Sequence, residues 1–181
     1  MLRIMLCATV AGVLLSGCSV ATYSHKLEDV QGGERVGVSF DNRNIDYIRV
    51  YPNTGTCINL DDPQNGYTNN AVGFQTAMNN KIEGFPDIPE TPPLRREFWV
   101  SAQKNIAVRM ISANGSYSTV TFKPVVGSYY YVTGLFVNQY APRTLTVYEV
   151  YKTEKGYYDK KPVTDLALEN CEDGTFRLQK F

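Results

Sequence analysis

The chain has 181 residues, with 18 Lys and Arg against 18 Asp and Glu, a formal net charge of zero and one histidine. With no basic stripe and no polybasic segment, that balance excludes an electrostatically driven nucleic-acid binder and a polybasic headgroup-binding tail. Thirteen tyrosines, eight phenylalanines and many Val and Thr residues favour strands over helices.

The N-terminus opens with Arg3, continues as an apolar stretch from Ile4 to Leu15, and closes with the small residues Ser16 and Gly17 before Cys18. A positive start, a short apolar core and small residues ahead of a cut site describe a secretory signal over residues 1–17. The apolar run is about twelve residues, short of the roughly 18 to 20 that span a bilayer as a helix. Leu15-Ser16-Gly17-Cys18 resembles the lipobox of bacterial lipoproteins. The resemblance implies cleavage before Cys18, diacylation of its thiol by palmitate-type chains, and acylation of the new amino group. Two or three acyl chains anchor durably where one does not. Ser19 stands where an Asp would favour retention in the inner membrane. The implied address is therefore the outer membrane, facing the periplasm.

Removing residues 1–17 from 181 leaves 164, a usual size for one domain. Residues 18–33, ending in Gln31-Gly32-Gly33, show no clean period and read as a lipidated tether, with a single domain expected over residues 34–181. A fifteen-residue tether over residues 19–33 would reach roughly 50 Å if fully extended.

Strand signals begin at Arg35–Phe40, where Val36, Val38 and Phe40 share a face, and continue at Tyr47–Tyr51. Pro52-Asn53-Thr54-Gly55 reads as a turn before Cys57–Leu60. Residues 61–96 are rich in Asn, Pro and Gly and form the longest stretch without strand signals, a length of loop that is often functional. A short helix around Val72–Ile82 would break it up. Phe98–Val100, Ile106–Ser112, Tyr117–Lys123, Ser128–Val137 and Arg143–Tyr151 are further strands, with Asn114-Gly115 as a two-residue hairpin turn and Thr175–Leu178 as a last short strand. Seven to nine short strands predict a mostly β chain built as an antiparallel β-sandwich of prealbumin-like or immunoglobulin-like plan.

The stretch Phe122-Lys123-Pro124-Val125-Val126-Gly127-Ser128-Tyr129-Tyr130-Tyr131-Val132 resembles a corner of prealbumin-like (transthyretin-like) domains in bacterial lipoproteins. In physical terms Pro124 ends one strand, Gly127 turns the chain, and the tyrosines open the next strand against the core.

Cys7 leaves with the signal and Cys18 is taken by lipid, so Cys57 and Cys171 remain. In an oxidising compartment such a pair most often forms a disulfide; a metal pair or two buried thiols are the alternatives. No metal or cofactor is expected. His25 lies seven residues after Cys18, within the expected tether, which leaves no His-based triad or zinc site for the domain. Asp61-Asp62-Pro63 resembles the start of a calcium loop but places Pro63 where an oxygen ligand is needed. No catalytic motif appears, so an enzyme is not expected.

The expected function is a lipid-anchored, periplasm-facing binding or structural module. Its partners are the membrane, through Cys18, and an envelope protein met through the 61–96 loop, where Leu94, Arg95 and Arg96 follow two prolines. The alternative is glycan, peptidoglycan or small-ligand binding on exposed tyrosines, with Tyr129 and Tyr131 as candidates beside Tyr140, Tyr148 and Tyr151.

Overall fold

The computed structural model describes residues 26–41, 47–68, 81–93, 95–111, 116–134 and 144–172. Among these residues there are nine strands and no helix: β1 (Arg35–Asp41), β2 (Tyr47–Thr54), β3 (Gly66–Tyr67), β4 (Arg95–Ser101), β5 (Asn105–Ile111), β6 (Tyr117–Phe122), β7 (Tyr129–Thr133), β8 (Thr146–Lys152) and β9 (Tyr158–Pro162). The signal segment, Cys18, His25, Leu94, the Asn114-Gly115 turn, Tyr140 and the 175–178 strand lie outside the described residues. So does the expected helix over 72–82, apart from Lys81 and Ile82, which are not helical.

The strands form two sheets, one of five strands in the order β4-β1-β7-β8-β9 and one of four in the order β3-β2-β5-β6. The four-stranded sheet is antiparallel throughout. The five-stranded sheet is mixed, because β1 and β7 run parallel with Gly37 opposite Tyr129 and Phe40 opposite Val132. A parallel pair needs a long connection, and these two strands are separated by five others.

One apolar cluster draws on both sheets. Val36, Val38 and Phe40 of β1, Phe98 and Val100 of β4, and Tyr130 and Val132 of β7 join Ile48 and Val50 of β2, Ile106, Val108 and Met110 of β5, and Phe122 of β6. Period-two alternation puts these residues on the facing sides, and each fully buried side chain of this size contributes roughly 1.5 to 3 kcal/mol. The corner between β6 and β7 behaves as its residues dictate. Gly127 takes a φ of 80°, which a side chain would resist, and its amide donates to the Arg35 carbonyl at 2.9 Å. The Val125 amide donates to the Tyr130 hydroxyl at 2.9 Å, holding the corner to the core.

Each sheet is also covered on its outer side by a segment without regular structure. Residues 82–88 lie over the five-stranded sheet, where Phe85 and Ile88 pack against Tyr129, Tyr131, Tyr148, Val150 and Tyr158. Over the four-stranded sheet, Ile58 and Leu60 join Leu168 above Tyr51 and Ala107. Cys57 and Cys171 lie at disulfide distance there, with sulfurs 1.98 Å apart and Cα atoms 4.9 Å apart. The link closes a loop with a separation of 114 residues, for which chain-entropy reasoning gives on the order of 4 to 5 kcal/mol.

The N-terminal segment joins the domain earlier than a tether through residue 33 implies. Leu27 is buried in the shared core, its amide donates to the Tyr67 carbonyl at 2.8 Å, and the Val30 amide donates to the Trp99 carbonyl at 2.9 Å. The Trp99 amide in turn donates to Asp29 Oδ1 at 2.7 Å. From Lys26, which bridges to Tyr67, the chain is bonded to the domain.

Candidate functional site

Three places gather polar or aromatic groups. The first lies between the five-stranded sheet and the 82–88 cover. Asp41 and Arg95 are cross-strand partners, as are Ser39 and Glu97, and all four are buried. Glu97 is held by Lys81 Nζ at 2.7 Å, Arg95 Nη2 at 3.5 Å and the Ile82 amide at 3.2 Å. Tyr131 donates its hydroxyl proton to Asp41 Oδ2 at 2.9 Å, and Thr133 Oγ1 donates to the same oxygen at 3.3 Å. Arg95 Nη1 donates to Thr91 Oγ1 at 2.5 Å, and its guanidinium lies 5.7 Å from the centre of the Phe85 ring. Low-dielectric surroundings strengthen each contact and raise the cost of breaking any one.

This cluster absorbs three of the residues chosen from sequence, Arg95, Tyr129 and Tyr131, while Arg96 lies on the other face of β4, the face that carries Phe98. Arg95 and Arg96 belong to β4 and are buried, so they do not form an exposed connector. Arg96 donates through Nη1 to the Thr68 carbonyl, and burial lowers the pKa of its guanidinium below the ordinary value. Tyr131 is only 2% exposed. Tyr129 is half-buried, with its ring 5.0 Å from Phe85 and 6.1 Å from Trp99. Among the described residues, the exposed tyrosines are Tyr117, Tyr151 and Tyr157. In the 61–96 loop the apolar side chains Ile82 and Ile88 turn inward, while Glu83, Asp87 and Glu90 face solvent.

The second place is a cleft of about 360 Å³ where the N-terminal segment Lys26–Val30 meets Pro63, Gln64 and Asn65, with Pro52, Val100 and Ser101 completing its wall. Asn65 is buried, donates through Nδ2 to the Asn59 carbonyl at 2.9 Å, and has no hydrogen-bond partner at Oδ1.

The third place is a row on the outer side of the four-stranded sheet. Arg49 and Arg109 are cross-strand partners on β2 and β5. The Arg49 guanidinium lies 5.4 Å from the ring centre of Tyr67 and 5.1 Å from that of Tyr51. The Arg109 guanidinium lies 5.4 Å from Tyr51 and 4.5 Å from Tyr117. The order along the row is thus Tyr67, Arg49, Tyr51, Arg109, Tyr117. Burial raises the Tyr51 pKa above its ordinary value, a rise that the charges of Arg109 and Arg49 partly oppose. The sequence held half of the signal, since each arginine sits at an outward position between apolar neighbours, Ile48 and Val50 or Val108 and Met110. Only the register of β2 on β5 brings the two together.

Among the described residues, no group of three or more His, Cys, Asp or Glu side chains could hold a metal ion, and no helix is long and apolar enough to cross a membrane. No family model, no characterised protein and no solved structure matches the chain.

Proposed function

We propose that the chain is a lipid-anchored, periplasm-facing module of the bacterial cell envelope that works by binding, chiefly to another envelope protein. Its two sheets face each other as a β-sandwich of prealbumin-like plan, a reading supported by the single apolar cluster drawn from both sheets. The observation that carries the functional reading is the short leash. With Cys18 as the anchor and Lys26 already bonded at Tyr67, only residues 19–25 lie between lipid and domain. Seven residues extend to about 25 Å at most, half the reach of a tether running through residue 33. A domain held that close works on what lies at or near the membrane, at a raised effective concentration. Catalysis is not part of this reading.

The test is cross-linking in intact cells, with fractionation and mass spectrometry of what is captured, comparing the natural chain with a Cys18→Ala form. The expected result is palmitate labelling and membrane recovery of the natural chain only, with one envelope protein captured by that form alone. Equal membrane recovery of an unlabelled Cys18→Ala chain would remove the anchor. Capture of glycan fragments in place of protein would favour the alternative ligand class, for which Tyr117, Tyr151 and Tyr157 are the exposed candidates among the described residues.

A further inference from the structure

We infer that the row containing Arg49 and Arg109 is a binding site for a phosphate-type oxyanion. Two guanidinium groups directly opposite each other on neighbouring strands repel, and such pairs are destabilising unless something offsets the charge. Nothing anionic among the described residues does so. Arg49 Nη2 donates to the Leu60 carbonyl at 3.0 Å; Arg109 donates through Nε to Thr119 Oγ1 at 3.0 Å and through Nη2 to Asn170 Oδ1 at 2.6 Å. All three acceptors are neutral. By contrast, Arg95 on the opposite sheet meets the carboxylates of Glu97 and Asp87.

Arg49 Nε is also buried without a hydrogen-bond acceptor, a costly state that Arg95 Nε shares even with carboxylates beside its guanidinium, so the missing counter-charge is what sets the Arg49 and Arg109 pair apart. The tyrosine rings beside both guanidinium groups attract cations through their faces but carry no compensating charge. An oxyanion with several acceptor oxygens would offset both charges, and a guanidinium binds such a group through two parallel hydrogen bonds. The two fixed positive charges match phosphate better than they match a single carboxylate.

The row has a definite place in the fold. Its Tyr67 end is bonded to Leu27 and bridged to Lys26, where the N-terminal segment joins the domain. At the other end, Asn170 is held beside Arg109 by the link between Cys57 and Cys171. The phosphate could therefore come from a lipid headgroup near the anchor or from a free phosphate in solution. The headgroup source rests on the anchoring proposed above; the site itself does not.

The experiment measures thermal unfolding of the full mature chain carrying Cys18→Ala, in 0 to 20 mM inorganic phosphate with chloride replaced to keep ionic strength constant. The expected result is a saturable rise in Tm, lost or weakened about tenfold or more in affinity by Arg49→Gln and by Arg109→Gln. Phosphate also stabilises proteins non-specifically by exclusion from their surface, an effect the variants would retain in full. Arg49→Lys keeps the charge, loses the fork and gives an intermediate affinity, which guards against a glutamine variant that fails to fold. A rise equal in all variants, or no rise with phosphate and no vesicle binding, overturns the site. Sedimentation with vesicles of neutral phosphatidylcholine, alone or with one quarter anionic phosphatidylglycerol, separates the sources. Arginine-dependent binding to the anionic vesicles assigns the headgroup, and a phosphate response without vesicle binding assigns free phosphate. Because the chain used has no acyl anchor, failure here leaves the anchoring result untouched, and failure of anchoring leaves the phosphate response intact.

Discussion

Replacing Tyr131 by Phe tests whether this tyrosine is a structural donor or a ligand platform. Its hydroxyl donates to Asp41 Oδ2 at 2.9 Å, and both residues are 2% exposed. The substitution keeps the ring and removes only the donor. A hydrogen bond to a charged group contributes about 1.5 to 3 kcal/mol, and at this depth water cannot readily replace it. Thr133 Oγ1, at 3.3 Å from the same oxygen, retains part of the interaction, so a loss of about 2 kcal/mol is expected. For a chain of this size that corresponds to a fall in Tm of about 4 to 8 °C. Urea unfolding followed by fluorescence of Trp99, the single tryptophan, reads the same region, since its ring lies 6.1 Å from that of Tyr129. The midpoint should fall without a change in slope. In a double-mutant cycle with Asp41→Asn, the effect of Tyr131→Phe should shrink, because the charge it supports has gone. A loss below about 0.5 kcal/mol, the level of an ordinary surface substitution, would refute the reasoning. A platform tyrosine would show the opposite pattern, with stability kept and ligand lost.

Glu97→Ala leaves Arg95 buried without its nearest carboxylate and should cost about 3 to 5 kcal/mol, whereas Lys81→Ala, removing a half-exposed partner of the same carboxylate, should cost under about 1 kcal/mol. Equal effects in urea titration would mean that Glu97 is not the centre of that cluster. Gly66→Ala would place a Cβ onto the Leu27 backbone, 2.5 Å from its nitrogen, so the N-terminal segment must shift at a cost of about 1 to 3 kcal/mol. Trypsin should then cleave after Lys26 faster than in the natural chain, and unchanged cleavage would count against the docking. Burial raises the pKa of Tyr51 and of Tyr130 above the ordinary 10.0. Their contribution to stability is therefore intact below about pH 10 and falls above it, because the unfolded chain gives up these protons first. Absorbance at 295 nm should show an ionisation above pH 10 that shrinks in Tyr51→Phe and in Tyr130→Phe, and an unchanged titration in both variants would contradict the assignment.

What the sequence made legible follows from how local the cause is. Val36, Val38 and Phe40 alternate because their strand has one face in the shared core, and the Pro124–Gly127 corner depends on residues adjacent in the chain. Cys57 and Cys171 are expected to pair on the reading that a signal and an anchor take the other two cysteines, and their sulfurs do lie at disulfide distance. By contrast, β9 carries Tyr-Asp-Lys-Lys-Pro, an edge strand whose charges and proline suit an open edge and conceal its pairing with β8. Arg95 and Arg96, after Pro92 and Pro93, resemble a connector until residues 82–88 are laid over Arg95 and the other face of β4 brings Arg96 to Thr68. The docking of Lys26–Val30 is equally non-local, since it depends on Trp99 and Tyr67, far along the chain. Arg49 and Arg109 are sixty positions apart, and no periodicity within either strand indicates that they meet.

The distribution of burial also narrows where a protein partner can land under the binding reading. The outer side of the five-stranded sheet is occupied by Phe85 and Ile88, and much of the four-stranded sheet by Ile58, Leu60 and Leu168. A partner laid flat on either sheet would have to displace these covers, one of which is fixed by the link at Cys57 and Cys171. Val125 and Val126 are different: they are adjacent, 57% and 52% exposed, and sit on a corner already held by the Gly127 and Tyr130 bonds. Beside them a hollow of about 390 Å³ is formed by Thr54–Thr56, Ala102–Asn105, Lys123 and Pro124. A rigid corner presenting two valines next to a hollow can meet a partner with little ordering cost, which is where binding free energy is most easily lost. The end of the domain bearing this corner is therefore a better place for protein contact than the acidic outer surface of residues 83–90.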